Sequence, residues 1–69
     1  MIRVGWQNEA VELRLDEKGI DELTATLQQM KGMTTHVHMM TPAWGGKELV
    51  EGGEQTVHHL IVYSEGDVS

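Results

Sequence analysis

Two histidines one residue apart open the stretch of this chain with the most chemical character, His36-Val37-His38-Met39-Met40-Thr41-Pro42-Ala43-Trp44-Gly45-Gly46-Lys47-Glu48-Leu49. Alternate side chains of a β-strand share a face, so His36 and His38 stand about 7 Å apart on one side of a sheet. Histidine rings so placed can hold a metal, or pack as amphipathic rings against a partner. With His59 they could supply three imidazoles to zinc and leave a fourth position open. No carboxylate sits at a telling offset, and Met40 and Ile61 beside them favour contact over coordination. The expectation is a protein-contact face with no metal, and His36, His38 and His59 around zinc are the alternative. Nucleophilic catalysis lacks a cysteine, and no Ser/His/acid set is recognisable from spacing. A non-enzymatic protein is expected.

Which way those rings point depends on the elements that carry them. Ile2, Val4 and Trp6 alternate with Arg3 and Gly5, and Val11, Leu13 and Leu15 alternate with Glu12 and Arg14. This period of two predicts strands over 2–6 and 10–15, paired as a hairpin around Gln7-Asn8-Glu9 with both apolar sets on one buried face. Asp16 is placed to cap a helix over 17–31. Leu15 and Ile20 are spaced as a hydrophobic staple, and Gly32 is the left-handed stop. Ile20, Leu23, Leu27 and Met30 form its apolar stripe. Strands follow over 34–40 and 56–63, separated by a loop over 41–55 whose Glu51-Gly52-Gly53-Glu54 part is the flexible one, with a polar tail over 64–69. The fold class is therefore α+β: a single ββαββ domain with a four-stranded, mostly antiparallel sheet and one helix packed on one face.

Parity then assigns the faces. Valine belongs inside, so Val37 and Met39 look at the helix while His36, His38 and Met40 look away. In the last strand Leu60 and Val62 are taken as core, which sends His59, Ile61 and Tyr63 to the open face. His58, if inward, is a core-edge ring satisfied by a backbone or hydroxyl partner. Trp44 reads equally as a lid on the core or as an exposed anchor. Gly45-Gly46 suits a tight turn with positive φ. The binding set is His36, His38, Met40, Trp44, Gly45, Gly46, Glu48, His59 and Tyr63.

Composition narrows the partners. Sixty-nine residues without cysteine can have neither disulfides nor thiolate metal sites, and a chain so short gains from burying surface against a partner, here expected to be a second copy in a homodimer. Eleven acidic residues against five basic ones give a net charge of −6. No cationic stretch is available to replace the counterions of a nucleic acid. A basic protein is the electrostatically more natural partner, while the plainer reading of the acidity is that it keeps the chain soluble. No apolar run approaches the length of a membrane span, and the first residues lack the order of a signal peptide, so a cytoplasmic setting is expected.

The stretch from His36 to Leu49, followed by His59-Leu60 and Tyr63, resembles a family of very short bacterial proteins. These share a motif of the form HVHLMTPxWGGxEL and a closing HLxIY. They look like the immunity-protein family numbered 32 of polymorphic toxin systems. The likeness covers the C-terminal half; the first hairpin and helix match only in layout, and Val62 stands where the closing motif has isoleucine. The resemblance implies a non-enzymatic protein that binds and neutralises a cognate toxin. It is compatible with the acidic charge, since many such toxins are basic nucleases.

Overall fold

The computed structural model describes residues 1–66; the expected tail falls partly outside them, at 67–69. Its elements run β1 (Ile2–Gln7), β2 (Ala10–Leu15), α1 (Glu17–Met30), β3 (Thr34–Met40), a single 3-10 turn (Pro42–Trp44) and β4 (His59–Glu65). The α+β class and the ββαββ order stand. In place of one four-stranded sheet, β1 pairs antiparallel with β2 and β3 with β4, forming two separate two-stranded sheets. The reason is visible at β1. Its outer edge is taken by the segment that precedes β4: Val50 N–H donates to the Ile2 carbonyl, Val57 N–H to Val4, and Trp6 N–H to Gln55. Only Gly5 and Thr56 form a bridge there, so β4 begins at His59 and not at Thr56.

The helix is built as its sequence suggests. Asp16 caps it by accepting from Gly19 N–H at 2.7 Å and also meets the Met1 ammonium. Both contacts, the ammonium first, hold its carboxyl below the usual range. At the other end Gly32 takes a positive φ. A helix of 14 residues is only about 21 Å long, and it packs against β1, β2 and β3. It cannot cover the inner faces of both hairpins. Leu23 and Met30 pack inward, while Ile20 and Leu27 are half exposed, so the expected four-residue stripe and the Leu15–Ile20 staple are covered only in part.

The first hairpin shows the same shortage. Ile2 and Val4 are buried and Leu15 packs beside them, but Trp6, Val11 and Leu13, expected on the buried face, are exposed. The core is instead closed by Met39 from β3 and by Leu49 from the long connection, which is 1% exposed. Val37, Leu60 and Val62 pack against that cluster.

Candidate functional site

Strand parity places the rings as expected. In the β3–β4 register His36 lies opposite Tyr63, His38 opposite Ile61 and Met40 opposite His59. With Val37, Leu60 and Val62 turned to the core, these six side chains share the outer face. There they form a continuous row. Tyr63 and His36 have ring centroids 5.3 Å apart. His36 meets His38 edge to face at 5.0 Å, and His38 stacks on His59 at 5.0 Å. Trp44 completes the row, 5.8 Å from His59. The geometry follows from the pleat: residues facing each other in a non-hydrogen-bonded antiparallel pair bring their side chains closest, within reach of diagonal neighbours.

The row also carries hydrogen bonding. His38 Nδ1 and His59 Nε2 lie 2.7 Å apart. Such a bond requires one ring to donate and the other to accept, so at least one of the two is neutral while it holds. His36 joins them only through its ring edge. Among the described residues no three His, Cys, Asp or Glu side chains are grouped to hold a metal ion.

His58 points the other way, half-buried, and its Nδ1 shares a hydrogen bond with the Thr41 hydroxyl at 2.7 Å. Thr41 is fully buried and its N–H donates to the His58 carbonyl. The core-edge role is the one found. Over this pair lies the indole of Trp44, nearly parallel to His58 with centroids 6.3 Å apart, yet 58% exposed. Trp44 is thus seated from below and open above, an anchor at the end of the ring row.

The loop that holds Trp44 is ordered by its own carboxylates. Glu48 Oε1 accepts from Met40 N–H at 3.1 Å and from Lys47 N–H at 3.4 Å. Glu51 Oε1 accepts from Ala43 N–H at 3.2 Å. The Met40 N–H first, then Glu48's own N–H, hold the Glu48 carboxyl below its ordinary range. Glu48, expected as a contact residue, is therefore engaged within the loop. The glycine pair is needed twice over. Gly45 has φ +87°, and a Cβ on Gly46 would come within 2.5 Å of the Met40 carbonyl oxygen. The 3-10 turn starts at Pro42, whose fixed φ suits its first position.

Three residues that the pattern did not single out complete the site's support. Thr41 seats His58, Leu49 anchors the loop in the core, and Glu51 closes the Pro42 turn. A signal exists for the last: Glu48 and Glu51 each cap an N–H eight residues earlier. Comparison with protein-family models, with curated proteins and with solved structures finds no match.

Proposed function

We propose that this chain is a non-enzymatic binding protein of the immunity type, which docks a basic protein partner on the outer face of β3–β4. The observation that carries the reading is the unbroken row Tyr63, His36, His38, His59 and Trp44, mutually packed and, apart from half-buried His59, exposed to solvent. Aromatic rings with polar tips, held rigid before contact, are what protein interfaces concentrate at their centres. Preorganisation lowers the entropic cost of ordering side chains on binding. The net charge of −6 favours a cationic partner and speeds encounter with it. The resemblance of the His36–Leu49 motif to the toxin-immunity family supports the same class of partner.

Purification of the tagged chain from its native host tests this. A basic protein should accompany it in fixed ratio, and the Trp44→Ala and Tyr63→Ala variants, both folded, should lose that companion. Recovery of the chain alone, or of a companion indifferent to both substitutions, overturns the reading. A second reading rests on the facing nitrogens of His38 and His59, which could turn onto a zinc ion with His36 as third ligand. Zinc retained stoichiometrically in protein purified without a histidine tag, and lost in His38→Ala, would favour it.

A further inference from the structure

The strand that carries the row has an edge that is occupied only at Met40. Met40 N–H and C=O both turn away from β4, to Glu48 and to Leu49 N–H. In an antiparallel pair this direction alternates along the strand. The main-chain groups of Thr34, His36 and His38 therefore also point away from β4. Among the described residues no backbone bond other than those to β4 is made by 34–39. The outer edge of β1 is taken by the segment over 50–57, and β2 carries the charges of Glu12 and Arg14. The outer edge of β4 also makes no backbone bond among the described residues, but at Tyr63 and Ser64 it borders a groove whose far wall is α1 at Leu27, Gln28 and Lys31. Thr34–Met40 contains no charged Asp, Glu, Lys or Arg and no proline, the usual guards of an open edge.

We infer that the free edge of β3 pairs antiparallel with the same edge of a second copy of this chain, joining the two β3–β4 pairs into one four-stranded sheet. A twofold axis satisfies the geometry only in certain registers, because two outward-facing residues must oppose each other. Placing His36 opposite the partner's His36 sets Thr34 opposite the partner's His38, and each exchanges both main-chain bonds. The next register toward the loop would oppose Thr34 to Met40, whose N–H the Glu48 carboxylate already occupies. Glu48 thus acts as the stop that selects the register. The chain as a whole exposes 5213 Å² at a mass of 7.7 kDa, roughly 900 Å² more than monomers of that size, which leaves surface to spare for association. The joined sheet places both copies' ring rows on one continuous face. This inference does not depend on the toxin-binding reading, since it concerns the edge and not the face.

Sedimentation and amide hydrogen exchange on the intact chain test it. The expected result is a dimer at micromolar concentration, with the amides of Thr34, His36 and His38 protected at least tenfold over a state diluted to monomer. His36→Pro removes an outward N–H without touching the bonds to β4, and should give a folded monomer. N-methylation of the His36 amide in synthetic protein, which keeps the ring, should do the same. A monomer at all concentrations with those three amides exchanging freely overturns the inference. So does a dimer in which they exchange freely, since it would use another face.

Discussion

The two hairpins of this protein both expose apolar and aromatic side chains, yet for opposite reasons. In β1–β2 the exposed Trp6, Val11 and Leu13 lie on the same face as buried Ile2 and Val4. They belong to a core face that is left partly uncovered toward the hairpin tip. In β3–β4 the exposed rings lie on the face opposite the core, in contact with one another and with a tryptophan delivered by a braced loop. Exposure alone does not mark a site. Rings that support each other before any partner arrives, on a face the core does not need, are the better sign.

The contrast should be sharpest in stability. Leu49 joins the second hairpin's loop to the core, so Leu49→Ala should cost about 3 kcal/mol. Gly46→Ala, which drives a methyl onto the Met40 carbonyl, should cost about 2 kcal/mol or more. Val11→Ala, on the face shared with Val4 but 72% exposed, should cost under about 0.5 kcal/mol. Denaturant midpoints of the three variants check this ordering. If Val11→Ala costs as much as Leu49→Ala, the overhanging end of the first hairpin is covered in solution and the contrast fails.

Acid should separate the hairpins next. Glu48 has its carboxyl held below its ordinary value of 4.5 by main-chain donors. A carboxyl lowered in the folded state stabilises fully above its unfolded value, and that contribution is lost as pH falls through the folded one. Below pH 4.5 the Trp44 loop should therefore loosen. Indole fluorescence cannot tell Trp44 from Trp6, so the measurement is made in Trp6→Phe, where the remaining signal should change on acidification. The same titration in a Trp6→Phe, Glu48→Gln double variant should be flatter. An unchanged acid response in the double variant would remove Glu48 as the brace.

Much of this was legible because period and parity are local. The alternation of Val37 and Met39 with His36 and His38 fixed which rings face outward, and Asp16 and Gly32 marked the helix ends within a residue. What escaped was the accounting of cover. Nothing in the pattern of Trp6, Val11 and Leu13 reveals that a single helix must serve two hairpins. Nor does a loop rich in glycine declare that Leu49 will fill the space left, or that Val50 and Val57 will take the β1 edge and divide the sheet. Glu48 is expected as a contact residue, and the pattern does not show that it also braces the loop. Its main-chain partners become visible only once the loop folds back.

The smallest expected effect lies at the tip of the first hairpin. Asn8 and Glu9 both have positive φ, 52° and 67°, the pattern of a tight two-residue turn matched to strand twist. Asparagine tolerates that region; glutamate does so with strain, since its Cβ approaches the following carbonyl. Glu9→Gly should relieve it and raise stability by up to about 1 kcal/mol, less the extra freedom glycine brings to the unfolded chain. Removing a carboxylate from an acidic chain acts in the same direction. The change should raise the melting temperature by a few degrees (~4–8 °C per kcal/mol for a domain of this size) while leaving the β3–β4 resonances where they are. A shift in the imidazole signals of His36, His38 or His59 would show that the hairpins are coupled, and that the ring row is not the independent platform described above.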